Sequence, residues 1–252
     1  MKSVFLLSYD VLMKGSEAAE GASELIKYLY TEGYSFLILT DESLHTRNWL
    51  ADRMYNAGFP LMSEDLFYTT TMGAVDAIRS NYPTRNRAFC IGSDAMRNLL
   101  EKGGFTLDEE YPQWLFIGDQ RNISFREYSH VLQLAVSGAS MITVSDSVNL
   151  WDRSGIVPGP AAVTAMLETA SGNEALVSGW SSSLIIKKAM GYIGAEPEDT
   201  VFVSNNLEGE ISTAILSGID TIYVTEDNVN ENLTESQIRP TYVVSSLRGL
   251  FG

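Results

Sequence analysis

The chain has 252 residues, 45% of them apolar and 19% charged, which describes a folded globular protein of one or two domains and excludes a disordered chain. At this length roughly 70–75% of the unfolded surface is buried on folding, so no disulfide or structural metal is needed as a staple. Acidic residues outnumber basic ones 32 to 17, and the net charge of −15 disfavours nucleic acid and anionic membranes as partners.

Short apolar runs alternate with helical patterns along the whole chain. Val4–Ser8 reads as a buried strand and Glu17–Thr31 as a helix with Leu25, Ile26 and Leu29 on one face, stopped by Gly33. Ser35–Thr40 is the next predicted strand, followed by a helix over Leu44–Asn56. Arg87–Ile91 is a strand, Ser93 the N-cap of a helix reaching Lys102, and Gly103-Gly104 its stop. Trp114–Ile117, Met141–Val144 and Ala175–Val177 are further strands, with helices over Phe125–Val136 and Ala161–Ala170 between them. The tail predicts helix Ser182–Tyr192, strand Thr200–Ser204, helix Glu210–Leu216 and strand Thr221–Val224. Near-continuous apolar strands joined by helices predict an α/β fold with parallel sheets covered on both faces. There are more elements than one sheet of usual size needs, so two α/β units are expected, with boundaries near Thr71–Met72 and Gly179.

The single cysteine, Cys90, excludes an internal disulfide and a multi-cysteine zinc site, and its setting in Ala88-Phe89-Cys90-Ile91 reads as a small buried hydrophobe. Two histidines, His45 and His130, are too few for a His-rich metal site. The opening MKSVFLLSYD has a short apolar core without a cleavage site, and no run approaches a membrane span, so a cytoplasmic protein without membrane contact is expected.

In doubly wound sheets ligands bind beyond the carboxyl ends of the strands. Polar residues follow four strands here: Ser8-Tyr9-Asp10, Thr40-Asp41, Gly179-Trp180-Ser181, and Ser204-Asn205-Asn206 with Glu208 and Glu210 beyond. With VLMKGSEAAEGA (Val11–Ala22), LTDESLHTR (Leu39–Arg47), LFYTTTMGAVDAI (Leu66–Ile78), FIGDQRNISF (Phe116–Phe125), PGPAAVTAMLETASG (Pro158–Gly172) and FVSNNLEGEISTAILSGIDTIYV (Phe202–Val224), they run the length of the chain. The sequence resembles the haloacid-dehalogenase superfamily, in its NagD and 4-nitrophenylphosphatase type with a large α/β cap. That resemblance implies a Rossmann-like core from residues 1–74 and 178–252, with residues 75–177 as an inserted α/β cap domain.

The resemblance also implies where chemistry would sit, and there this chain departs from the pattern. Family members carry D-x-D-G after the first strand, the first Asp forming an aspartyl-phosphate and the second acting as general acid and base. Here the segment is Leu7-Ser8-Tyr9-Asp10-Val11 with the glycine missing. Aligned with a gap, Asp10 matches the second Asp and Ser8 stands at the nucleophile position; aligned without one, Leu7 stands there and Tyr9 at the acid. Neither alignment supplies a nucleophilic carboxylate. Thr40 matches the phosphate-binding Ser/Thr, and Asp41 replaces the usual Asn. The G-K-P-S lysine that balances phosphoryl charge is Trp180, with Lys187 and Lys188 about two turns into the following helix. In the fourth motif Asn205 replaces a magnesium carboxylate and Glu210 replaces the second Asp. Asp10, Asn205 and Glu210 are the remaining candidates to hold Mg2+ for any residual activity.

The expectation is therefore a phosphatase-fold protein that is catalytically degenerate, with a binding, regulatory or structural role. The alternative is an active hydrolase of sugar or nucleotide phosphates using a rearranged acidic site around Asp10, with Asp41, Glu208 and Glu210 as carboxylates. A serine hydrolase built on Gly179-Trp180-Ser181-Ser182-Ser183 is disfavoured, since both histidines precede Ser181 and the three serines suit a helix cap. The cap of family members carries T-N-x-D where this chain has Thr143-Val144-Ser145-Asp146, with Arg121 and Arg153 as candidate anion contacts. The expected partners are a small phosphorylated or anionic ligand and, by resemblance, a second copy of the chain.

Overall fold

The computed structural model describes residues 2–152, 155–225 and 236–251. In chain order its strands are β1 (Val4–Ser8), β2 (Met13–Lys14), β3 (Glu17–Ala18), β4 (Ser35–Thr40), β5 (Phe67–Thr69), β6 (Arg87–Ile91), β7 (Thr106–Leu107) and β8 (Trp114–Ile117). They continue as β9 (Ser140–Thr143), β10 (Asn149–Asp152), β11 (Gly155–Pro158), β12 (Ala175–Val177), β13 (Thr200–Ser204), β14 (Asp220–Val224) and β15 (Tyr242–Val244). The helices are α1 (Tyr9–Leu12), α2 (Ala22–Glu32), α3 (Arg47–Asn56), α4 (Thr70–Asn81) and α5 (Asp94–Lys102). α6 (Phe125–Val136), α7 (Pro160–Ser171), α8 (Leu184–Ile193) and α9 (Ser212–Leu216) follow. The fold is α/β, and it separates into two units. One comprises Met1–Thr40, Arg47–Tyr68 and Ile186–Gly252, the other Asp41–Thr46 and Thr69–Ile185. These divisions fall several residues from the expected 74/75 and 177/178, and they assign the loop after β4 to the second unit.

The first unit is built on a sheet in the order β15-β14-β13-β1-β4-β5. β1 lies between β13 and β4 and pairs with both in parallel, Leu7 opposite Val203 on one side and Ser8 opposite Leu39 on the other. Alternate strand residues Leu7, Ile38, Val201 and Val203 pack on α2 and α3 through Leu25, Ile26, Leu29, Leu50 and Met54. The parallel order has one consequence for function: the carboxyl ends of β13, β1 and β4 stand side by side.

The second unit has a parallel sheet in the order β12-β9-β8-β6-β7. Period-two alternation gives it two apolar faces. Ala88, Cys90, Trp114, Phe116 and Ile142 pack with α4 and α5 residues Val75, Ile78, Met96 and Leu100. Ile91, Leu115, Ile117 and Met141 face Val131 and Leu134 of α6 and Leu167 of α7. Burial pushes the Cys90 thiol up to about 12, so it stays protonated and packs as a hydrophobe. Phe116 is 0% exposed and edge-on to Phe105 at 5.2 Å between ring centroids. Phe116→Ala is expected to destabilise the protein by about 3–5 kcal/mol in denaturant unfolding. A loss below about 1 kcal/mol would show that this face is not packed as described.

β1, β4, β6, β8, β12 and β13 match their expected limits. β9, expected at Met141–Val144, and β14, expected from Thr221, each begin one residue earlier, and several other elements differ more. Expected helix Glu17–Thr31 begins only at Ala22, because Met13–Lys14 and Glu17–Ala18 pair as an antiparallel hairpin. The helix expected from Leu44 begins at Arg47, since the Glu42 carboxylate accepts the amides of Leu44 and His45 and closes a turn there. Thr71–Met72, expected at a boundary turn, lies in the first turn of α4, where the Thr69 hydroxyl accepts from the Met72 amide at 3.2 Å. The helix expected from Ser182 begins at Leu184, which puts Lys187 and Lys188 within the first turn or so of α8. The helix expected from Glu210 is instead a π-helical turn, Leu207–Ile211, running into α9. No helix among the described residues is long and apolar enough to cross a membrane.

Candidate functional site

β1 ends in Ser8, whose side chain is turned inward and 1% exposed. Its hydroxyl accepts from the Asp10 amide at 3.3 Å and so caps α1. The residue at the position of the expected attacking carboxylate is thus a short neutral cap. Asp10 lies two residues further, exposed, in the first turn of that helix. On the neighbouring strand β4, Thr40 is the last residue and is 6% exposed.

Beyond β13 the chain does not enter an α-helix directly. The Asn206 side chain accepts from the Gly209 amide at 2.9 Å and opens the π-helical turn, a geometry often found at functional sites. The wider turn carries Glu210 inward, where it is 2% exposed and accepts from the Ser204 hydroxyl at 2.5 Å. The same Ser204 oxygen accepts from the Asn206 amide at 2.9 Å. Asn205 stays exposed, and its amide donates weakly to the Asp10 carbonyl at 3.5 Å. Ser8, Asp10, Thr40, Asn205 and Glu210 therefore all belong to the first unit, on or just beyond three adjacent strand ends.

A magnesium ion requires several hard, charged oxygens in octahedral geometry. The donors present are one exposed carboxylate at Asp10, a neutral amide at Asn205 and a buried carboxylate at Glu210 already bonded to Ser204. Among the described residues no three His, Cys, Asp or Glu side chains converge as a metal site would require. This donor set does not fit the ion. Both histidines fall in the second unit, so the first unit holds no imidazole to activate the Ser8 hydroxyl.

Glu208 is exposed on the same π-helical turn, and Lys187 and Lys188 also belong to the first unit, whereas Asp41, Trp180 and the cap residues lie in the second. Asp41 accepts from the Ser145 hydroxyl at 2.6 Å, just past the end of β9. Nearby, Ser43 accepts the Asp119 amide at 2.9 Å and the Ser93 hydroxyl bonds the Ser43 carbonyl at 2.6 Å. Trp180 is 8% exposed in the turn after β12. That turn is organised by Asp146, whose carboxylate accepts both the Ser181 amide at 2.6 Å and the Ser181 hydroxyl at 2.9 Å. The same carboxylate would lie 2.4 Å from a Cβ added at Gly179, so a side chain there would push Asp146 off its bonds to Ser181. Asp146 stands where the T-N-x-D pattern has its Asp, three residues after Thr143. Its role as anchor of the Gly179-Trp180-Ser181 turn depends on a partner 35 positions away, which strand and helix periodicity cannot reveal.

Of the cap residues considered as anion contacts, Arg121 is held by Asp119 through Nε at 2.9 Å and Nη2 at 2.8 Å, with Asp152 at 3.9 Å. Hydrogen bonding to Asp119 raises its pKa further, and its charge is already met at home. Arg153 lies outside the described residues. His45 sits 3.3 Å from the Glu42 carboxylate, and His130 lies on α6 with its Nε2 2.9 Å from the Glu109 carbonyl.

Comparison with known proteins agrees with the fold. Residues 7–106 match the family model described as haloacid dehalogenase-like hydrolase, and residues 178–250 one described as HAD-hydrolase-like. The 5'-nucleotidase YutF of Bacillus subtilis is 26% identical over 245 residues, covering 96% of this chain and 95% of that protein. The dihydroxyacetone phosphatase of Corynebacterium glutamicum is 24% identical over 241 residues, covering 95% and 87%. The solved structure of NagD from Escherichia coli K-12 superposes with a TM-score of 0.90 at 26% identity, covering 98% of this chain and 97% of that one.

Proposed function

Because the chain belongs to the haloacid-dehalogenase superfamily, in its NagD-like branch, we propose that it binds a small phosphorylated molecule at the carboxyl ends of β13, β1 and β4, without passing through an aspartyl-phosphate. The relatives support the ligand class, since they are named as phosphatases of nucleotides and of a small phosphorylated ketone. Thr40 supports the place: it ends β4 where the family pattern has a phosphate-binding hydroxyl. The observation that carries the chemistry is Ser8, a buried hydroxyl bonded to the Asp10 amide where an attacking carboxylate would stand. A serine hydroxyl without a base is a poor nucleophile at neutral pH. The neutral Asn205 and the tied Glu210 support the same reading, because they withhold charge from a divalent ion.

A second reading is hydrolysis by an acidic site rearranged around Asp10. It is favoured by the names of the relatives, which are enzymes along nearly the whole length of this chain. Under that reading Asp10, exposed at the start of α1, takes over as the working carboxylate.

Calorimetric titration with adenosine 5'-monophosphate, dihydroxyacetone phosphate and glucose 6-phosphate, with phosphate release monitored in parallel, tests the proposal. Saturable binding of at least one ester is expected, weakened about tenfold by Thr40→Val, with no phosphate released above the buffer control. Absence of binding by all three esters would contradict the ligand class. Release of phosphate that depends on Asp10 would establish the second reading.

A further inference from the structure

The second unit has an open cleft of about 320 Å³ at the edge of its sheet opposite the ends that carry Asp41 and Trp180. Arg87 begins β6, Gln113 precedes β8 and Ala139 precedes β9, so the cleft lies over the amino ends of three adjacent strands. Nothing in the proposed phosphate-binding reading uses it. Its volume suits a small metabolite.

Two opposite charges that form no ion pair among the described residues line this cleft. The Arg85 guanidinium lies 4.4 Å from the Trp114 ring centroid and 5.7 Å from that of Tyr82. Its Nη2 donates to the Gln113 carbonyl at 2.7 Å and to the Ser140 hydroxyl at 3.0 Å. Its Nε and Nη1 donate to no protein acceptor and no carboxylate pairs with it among the described residues. Glu110 is exposed, and its carboxylate likewise makes no ion pair or hydrogen bond among the described residues. Each charge is uncompensated while the other lines the same cleft.

The rim that carries Glu110 is already set. The Asp108 carboxylate accepts the amides of Glu110 at 2.9 Å and Tyr111 at 2.8 Å, bonds that hold its pKa below the usual carboxylate range. Its other oxygen lies 3.5 Å from Arg87, which leaves Arg85 as the cation of the cleft that no carboxylate pairs with among the described residues. Tyr111 is 68% exposed at the rim, an apolar wall available to a ligand side chain. Ser137 and Gly138, which follow α6, line the other side, where the helix carboxyl end carries partial negative charge. Because the rim is ordered beforehand, binding loses little further conformational freedom.

We propose that this cleft binds a free α-amino acid, its carboxylate on Arg85 and its ammonium group toward Glu110 and the end of α6. A simple anion would meet Glu110, the helix end and a protein of net charge −15. A simple cation would meet Arg85 and Arg87. A zwitterion satisfies both ends and brings no net charge.

Calorimetric titration of the full chain with each common free α-amino acid, and with the 2-oxo acid and the amine matching any that binds, tests the assignment. At least one amino acid is expected to bind saturably, with its 2-oxo acid and its amine about tenfold weaker or silent. Arg85→Met keeps an apolar stem over Trp114, and Glu110→Gln alters an exposed side chain; each is expected to weaken binding about tenfold. Should Arg85→Met fail to fold, Glu110→Gln decides the matter by itself. Thr40→Val, in the first unit, is expected to leave amino-acid binding unchanged while weakening the phosphate ester, so the two sites stand or fall separately. No heat with any amino acid, binding unaltered by Glu110→Gln, or equal binding of the 2-oxo acid would overturn the proposal.

Discussion

The Ser8→Asp, Asn205→Asp double variant is expected to bind magnesium in calorimetric titration, while the parent chain gives no saturable heat with the same ion. Ser8 ends β1 and Asn205 follows the last residue of the neighbouring parallel strand β13; Leu7, one residue before Ser8, lies opposite Val203, two residues before Asn205. Two carboxylates placed there, with the nearby Asp10, supply the hard anionic oxygens that the present donor set withholds. Aspartate is also a good N-cap, so Ser8→Asp preserves the bond to the Asp10 amide that starts α1.

The cost of the substitution is part of the test. Ser8 is buried, so a carboxylate there without a counter-ion destabilises the fold until a cation is present. The double variant is therefore expected to unfold at a lower temperature than the parent in chelator and to recover stability as magnesium is added. The parent's unfolding temperature is expected not to move. A folded double variant whose stability ignores magnesium would mean that the two strand ends do not converge on a common ion. The deleted glycine of the D-x-D-G pattern would then have moved the backbone as well as the chemistry.

How much of this was legible in the sequence depends on the kind of signal each element carries. β6, β8, β12 and β13 are continuous apolar runs closed by turns, and the structure places them at their expected limits. Capping was equally readable at Ser93, which accepts from the Met96 amide three residues on. α4 escaped because Thr69-Thr70-Thr71-Met72 reads as a polar connection. The structure shows why it is helical, with Thr70 and Thr71 buried and the Thr69 hydroxyl on the first turn. The β10–β11 hairpin escaped for the opposite reason: its paired Trp151 and Ile156 are both exposed, so no alternation of inside and outside marks it.

For the candidate site, residue types could be read and partners could not. Ser8, Asp10, Thr40 and Asn205 follow from the order of strand ends together with the family pattern. That Glu210 is drawn inward onto Ser204 depends on a π-helical turn, which no periodicity announces. That Asp41 is bonded to Ser145, and Ser181 to Asp146, is long-range pairing that only a folded chain displays. The replacement of a lysine by Trp180 was visible at once, but the carboxylate that fixes the turn around it was not.

The account depends on the absence of an attacking carboxylate from the end of β1, and the direct measurement is turnover of 4-nitrophenyl phosphate with excess magnesium, parent against Asp10→Ala. Loss of a nucleophile lowers turnover by roughly four to six orders of magnitude. The parent is therefore expected to release nitrophenol at the buffer rate and to match the Asp10→Ala variant. Turnover well above buffer that disappears with Asp10→Ala, and survives a distant control such as Leu61→Ala, would contradict it and give the chain the activity its relatives are named for.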